Sequence, residues 1–407
     1  MAPDVRVLFA TRILRLFAYG FLSVVLVLYL IAAGLTQAEI GLLLTLTLGG
    51  DTVISLLLTT SADRVGRRRT LLLGAALMIF AGVLFALTRS FVPLLIAATI
   101  GVISPSGNEV GPFLAVEQAA LAEEVTAERR TGLFAWYNLV GSFATAVGSL
   151  CGGALVQALQ DRGLTPLASY RAVVLGYAVI GVAMTALFAR LSPAAEPPAA
   201  ARVRRRPAYF QADLGLHRSR RSVFTLAGLF TIDAFAGGFV VQAFVAYWFH
   251  TRFGVSPATL GAIFFGANVL AGLSALSATW LAARIGLLRT MVGTHLPSNV
   301  LLLLVPLMPT LPLAMAMLLA RFSISQMDVP TRQAYTMALV VPDERSAAAG
   351  VTGIARTVGA ALAPLAAGPL YATAALASVP FFLAGGLKIV YDLLVWRTFR
   401  KVELPGE

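Results

Sequence analysis

"SADRVGRRRT", residues Ser61–Thr70, places one aspartate and four arginines between two runs rich in leucine, alanine and glycine. So much charge on so short a stretch reads as a turn at a membrane surface, where one apolar helix hands over to the next. A faded copy, "LAARIGLLRT" (Leu281–Thr290), returns 220 residues later. The turn and its copy predict an all-helical membrane protein built from one template used twice.

Composition agrees. Of 407 residues, 58% are hydrophobic and 12% charged, and the mean hydropathy is +0.83. A soluble domain carries about 25% charged residues, so half that share leaves too little polar surface to coat a globule in water. Apolar runs of about 20 residues, each long enough to cross a bilayer as a helix, recur from end to end. Strand-like alternation is absent, which excludes a transmembrane β-barrel. The net charge of +12 does not point to nucleic acid, because the basic residues gather on alternate loops, the pattern left by membrane insertion. The single cysteine, Cys151, gives no disulfide framework and no CxxC metal site. No metal-ligand spacing, phosphate loop or nucleophile–base arrangement is present, so neither a cofactor nor an enzyme is expected. The first apolar segment has no small-residue cleavage site and reads as a span, not a removable signal.

Twelve spans are predicted, near 8–33, 38–60, 70–88, 92–122, 131–157 and 168–191, then 223–250, 256–283, 289–308, 310–340, 346–373 and 376–398. Residues 1–191 form an N-terminal six-helix bundle and 223–407 a C-terminal one. Between them runs 192–222, charged and proline-rich, as a basic linker along the membrane surface. Arginines crowd the loops after spans 2, 4, 8 and 10, the linker and the C-terminus, while the opposite loops hold only Arg89, Arg162, Arg171 and Arg252. The positive-inside rule then puts both termini and the linker in the cytoplasm. The two halves also match residue by residue. Arg64/Arg284, Gly66/Gly286, Arg69/Arg289 and Thr70/Thr290 coincide, and at an offset of 218 Pro112 meets Pro330 while Asn108 meets Gln326. Parallel repeats of this kind are a transporter plan with the substrate site between halves near the midplane.

With these residues in view, "TTSADRVGRRRTLLLG" (Thr59–Gly74) resembles the signature of the major facilitator superfamily in the loop between helices 2 and 3, G-x-L-x-D-R-x-G-R-[KR]-x. Asp63, Arg64, Gly66, Arg67 and Arg68 match, and Thr59 stands in place of the first glycine. "GSLCGG" (Gly148–Gly153) is similar to the GPxxGG motif of that family's proton-linked exporters, with Ser149 at the proline position. The resemblance implies two pseudo-symmetric six-helix bundles and a drug or metabolite antiporter. Physically, Gly66 permits a tight turn, and guanidiniums beside Asp63 can clamp it by charge-assisted hydrogen bonds. Asp63, Arg64, Gly66 and Arg67 are therefore a candidate conformational latch, Arg68 and Arg69 reading as surface anchors. Ala283 has lost the acid in the second copy.

Ionisable residues at bilayer depth are costly unless paired or wetted, so each is a functional candidate. Span 10 reads "SISQMDVPTRQAY", with Asp328 and Arg332 four apart on one face. Pro330 cannot donate to the Gln326 carbonyl, which leaves a kink and a free acceptor. Span 4 reads "SPSGNEVGPFLAVEQ", where prolines and glycines weaken the helix around Asn108 and Glu109, and Glu117 follows two turns on. Burial drives a carboxylate toward the range where protons exchange, so Glu109, Asp233 and Asp328 are the proton-coupling candidates. Cavity candidates are Arg15, Tyr19, Asp51, Asn108, Glu117, Tyr137, Asn138, Gln242, Gln326, Arg332 and Arg356. Arg12 is expected to snorkel to the headgroups, Lys388 and Asp392 to pair at i,i+4 outside the cavity, Glu123 and Glu124 to be solvated, and His250 and His295 to have no role. The expectation is a monomeric secondary transporter of a bacterial inner membrane, exporting a small organic compound in exchange for protons. Import of a small organic anion with protons, or a lipid-handling or non-transporting membrane role, are the rivals.

Overall fold

A computed structural model describes residues 3–124, 127–196 and 216–402, with the side chains of residues 123–132, Ala194 and Pro342 left aside. The expected solvation of Glu123 and Glu124 and most of the linker thus lie outside the described residues. The regular structure of those residues is all helix, with no strand among them. The first half comprises α1 (Pro3–Ser23), α2 (Leu26–Ala32), α3 (Gln37–Val65), α4 (Arg67–Leu87), α5 (Phe91–Ile100), α6 (Phe113–Glu124), α7 (Ala127–Asp161) and α8 (Pro166–Phe188). The second comprises α9 (Arg220–Gly238), α10 (Gln242–Phe253), α11 (Pro257–Ile285), α12 (Leu287–Leu304), α13 (Leu311–Ser325), α14 (Asp328–Leu339), α15 (Arg345–Tyr371) and α16 (Val379–Phe399). Among the described residues, nine stretches are long and apolar enough to cross a membrane, and the pair α1–α2, bent by 47°, makes a tenth. The interrupted pairs α5–α6 and α13–α14 fill the places of spans 4 and 10, so the twelve predicted segments are all present.

The interruptions follow from sequence. In span 4 no helix forms between Gly101 and Pro112; Gly107 and Gly111 take φ of 73° and 82°, which side-chain-bearing residues rarely adopt. Backbone freed at membrane depth must find other partners, and five of these are identifiable here. Tyr177 donates to the Val102 carbonyl (2.5 Å), Tyr19 to that of Val110 (3.0 Å), and Ser104 to that of Asn108 (2.7 Å). The Ala243 N–H donates to the Pro105 carbonyl (3.1 Å), and the Gly111 N–H to Asp51 (2.6 Å). Ser104 thus takes the Asn108 carbonyl, to which Pro112, having no N–H, cannot donate. In span 10 the kink expected at Pro330 is displaced: the break lies at Gln326 and Met327, and Pro330 falls in the first turn of α14, where its missing N–H has no intrahelical partner to lose.

Two compact units are distinguished. One holds residues 1–204 with 241–268, the other 205–240 with 269–407. In the first, α1 packs against α7 through glycines. A Cβ on Gly148 would sit 2.0 Å from the Phe17 carbonyl oxygen, and one on Gly152 2.3 Å from that of Phe21. Small residues of this kind let helix backbones approach where lipid offers no hydrophobic drive to association. The glycines of "GSLCGG" thus have a packing role. In the second unit Gly238 does the same for α9 against α15, where a Cβ would meet the Ala360 carbonyl at 2.7 Å.

The repeat is visible atom by atom at the opening motif. Gly66 (φ 108°) joins α3 to α4 and Gly286 (φ 87°) joins α11 to α12. The Gly66 N–H donates to Ala62 and the Gly286 N–H to Ala282, both at 2.9 Å. Thr70 and Thr290 then return their hydroxyls to the Gly66 and Gly286 carbonyls at 3.0 and 2.8 Å.

Candidate functional site: two buried ion networks

Each unit encloses its own set of paired charges. In the first, α1 carries Arg12 and Arg15 one turn apart, both buried. Glu109 on the non-helical crossing of span 4 bonds Arg12 through one oxygen and lies 2.8 Å from Arg15 Nε through the other. Glu117 on α6, fully buried, takes both terminal nitrogens of Arg15 at 2.6 and 2.8 Å. It also accepts from Thr11 (3.0 Å) and from the Tyr137 hydroxyl. The guanidiniums stack on rings, Arg12 over Tyr137 at 4.7 Å and Arg15 over Phe113 at 4.6 Å. Two cations and two carboxylates balance, and charge-assisted pairs in such surroundings are far stronger than in water. The two acids differ in one respect: the Glu109 side chain is 15% exposed and that of Glu117 is not exposed at all.

Tyr19 and Asp51 belong to the same unit as backbone partners of the span 4 crossing, Asp51 also accepting from Ser55 at 3.3 Å. Asn138 is exposed and reaches Arg12 at 3.5 Å; the Asn108 side chain is exposed. Gln242 joins a separate polar knot, donating to Ser23 (2.8 Å) and Ser149 (3.3 Å) and accepting from Asn268 (3.1 Å). Arg12 does not snorkel as expected, because Glu109 offers it a carboxylate inside the bundle.

The second unit is organised around Asp233 of α9, whose side chain is 3% exposed. Arg356 of α15 lies 2.9 Å from Oδ2 and Arg332 of α14 3.3 Å from the same oxygen. Lys388 of α16 bonds Oδ1, and His295 Nε2 of α12 is 3.7 Å from it. Asp328 holds Arg332 at 2.6 Å, as the i,i+4 spacing predicted. His295 Nδ1 meets Asp392 at 2.8 Å, and Asn299 donates to the other Asp392 oxygen at 2.9 Å. Two expectations are corrected here. Lys388 and Asp392 do not pair with each other, since a shared helix face matters less than the charges of α9 and α12 that each one meets. His295 is buried between two aspartates rather than isolated. The signal available in sequence was the H-x-x-x-N spacing at His295 and Asn299, an i,i+4 polar pair inside an apolar span. Gln326 sits half-buried at the α13–α14 break.

The candidate latch is built differently from its reading. Asp63, whose side chain is 60% exposed, bonds Arg67 at 3.1 Å. The stronger organiser is Glu196, whose carboxylate accepts the N–H groups of Arg67 (2.8 Å) and Arg68 (3.1 Å) at the start of α4. Arg68 reaches the Ala189 carbonyl at 2.6 Å. An acid at a helix N-terminus meets unpaired N–H groups and a favourable dipole. An acid placed directly after span 6, ahead of a strongly basic segment, was the available clue.

Comparison with known proteins accords with this geometry. Residues 8–364 match the Major Facilitator Superfamily profile. The chain belongs to that superfamily. It is therefore a multi-pass membrane protein and a secondary transporter working by alternating access, not an enzyme. An uncharacterized membrane protein of Saccharomyces cerevisiae, YJR124C, is 30% identical over 98% of this chain and 95% of its own length. Among solved structures, a mutant form of the nucleoside transporter NupG superposes with a TM-score of 0.77 at 12% identity, covering 97% of this chain and 100% of that one. The D-xylose–proton symporter gives 0.73 at 16% identity, covering 97% of each chain. A bacterial homolog of the human lysosomal transporter Spinster gives 0.71 at 16% identity over the full length of both. At these identities the structural likeness speaks to fold alone.

Proposed function

We propose that the protein moves a small organic anion together with a proton, and that Glu109 and Asp328 take up the proton. One observation supports this reading above others: in each unit a guanidinium is shared between two carboxylates. Arg15 lies between Glu109 and Glu117, and Arg332 between Asp328 and Asp233. Neutralising Glu109 leaves Arg15 paired with Glu117 but deprives Arg12 of its carboxylate. An unpaired buried cation is costly, so an incoming anionic group fits there. Proton and anion then bind together and travel in one direction. Within the second unit, Arg356, one-third exposed beside Asp233, is the cation open to such a group. The sequence favours proton-driven export; the arginine chemistry favours its rival, coupled import. Export keeps one supporting feature, the resemblance of Gly148–Gly153 to the exporters' motif. The basic loops support cytoplasmic termini.

The test is transport in proteoliposomes of compounds first selected by thermal stabilisation. An inward proton gradient should concentrate the organic anion, and Glu109→Gln and Asp328→Asn should each abolish that concentration while permitting equilibration. If both neutral variants still move protons with the solute, the assignment is wrong.

A further inference from the structure

At the end of the second unit where α11, α12 and α16 meet, a cavity of about 430 Å³ opens beside the Gly286 turn. Its lining includes Arg289, Arg400, Trp396 and Phe399, with Leu287 and Leu288 from the first turn of α12; no acidic residue contributes among the described residues. Both arginines are exposed and neither makes an ion pair among the described residues. The internal repeat shows what this place accommodates. Its counterpart in the first unit is the Gly66 turn, congruent in backbone conformation and hydrogen bonding. There Glu196 places a carboxylate on the N–H groups of Arg67 and Arg68. The matching groups in the second unit are the N–H groups of Leu287 and Leu288, and no described side chain caps them. One copy of the motif is filled by an internal anion; the other presents two guanidiniums, a bare helix start and a cavity.

We infer that this cavity is a binding site for the headgroup phosphate of an acidic membrane phospholipid. The phosphate replaces the missing carboxylate over the first turn of α12, and Arg289 and Arg400 supply its charge-assisted bonds. The apolar part of the lining, Leu287, Leu288, Phe399 and Val402, suits glycerol and the first acyl carbons, which a free inorganic anion would not use. Trp396 is in the last turn of the apolar helix α16, a position at which aromatic side chains suit the headgroup level. Basic pockets between membrane helices bind acidic headgroups on these terms. The site is independent of the transport reading and stands or falls without it.

The experiment uses the full-length purified protein, titrated with phosphatidylglycerol, phosphatidylcholine or inorganic phosphate and followed by thermal shift and native mass spectrometry. Phosphatidylglycerol should stabilise and stay bound where phosphatidylcholine does not. Arg289→Gln with Arg400→Gln should weaken that binding about 25-fold, about fivefold per guanidinium. Arg397→Gln, exposed but outside the lining, should leave it unchanged. Val402→Glu, which supplies an internal acid at the cavity, should also abolish the response without loss of stability, separating lost binding from misfolding. An equal response to inorganic phosphate at matched concentration would overturn the lipid assignment. So would a response appearing only after removal of the segment that follows Val402, because the chain itself would then be the occupant.

Discussion

Replacing Asp233 with asparagine removes the one carboxylate that α14, α15 and α16 share. The three cations are not equally harmed. Arg332 keeps Asp328 at 2.6 Å, and Arg356, with a side chain 33% exposed, is the least enclosed of the three. Lys388, with a side chain 9% exposed, has no other carboxylate within ion-pair distance among the described residues. Breaking a buried pair by removing one partner costs about 3–5 kcal/mol, because a charge is left uncompensated. In a unit of this size that is a fall in melting temperature of roughly 6–20 °C, read at a single scan rate because membrane proteins unfold irreversibly. Lys388→Met should be milder, about 1.5–3 kcal/mol, since Asp233 retains both arginines. The double variant D233N/K388M should recover much of the D233N loss, an apolar side chain replacing an unpaired cation. The reasoning fails if D233N melts with the wild type, or if the double variant melts below D233N.

Three further outcomes follow from single contacts. Glu196→Gln should lose about 1–2 kcal/mol of support at the start of α4, seen as faster hydrogen exchange at the Arg67 and Arg68 amides. Glu344, buried before α15, loses hydration, which raises its pKa, but accepts the N–H groups of Arg218, His217 and Ser219 at 2.6–2.9 Å and is held at about 2. A depressed carboxylate stabilises the fold above the ordinary value of 4.5 and loses that contribution as pH falls toward about 2. Glu344→Gln should therefore lower stability at pH 7 and flatten its decline across that acid window. Gly148→Ala should cost about 1–3 kcal/mol, since its Cβ would intrude on the Phe17 carbonyl.

The twelve spans, the repeat and the family were legible because hydropathy and the Gly66/Gly286 turn are local properties of the chain. So were the i,i+4 pair Asp328–Arg332 and the disruption of span 4, which proline and glycine dictate. Partners distant in sequence were not. Spacing alone pairs Lys388 with Asp392, yet α9 brings Asp233 to the first and α12 brings His295 to the second. Arg12 looked like a surface anchor because nothing near it in sequence announces Glu109, 97 residues away. Span 10 breaks two residues before the Asp328 helix starts its proline-bearing turn, so the proline marks the place without causing the bend by itself.

The most direct measurement is the sign and count of protons that accompany each organic anion in vesicles carrying a pH-sensitive dye. With an anion gradient imposed inward, the lumen of wild-type vesicles should acidify as the solute enters, and Glu109→Gln should admit the solute with no change in pH. Alkalinisation of the lumen, or no proton movement in the wild type, would contradict the coupling assigned to the Arg12–Glu109–Arg15 cluster.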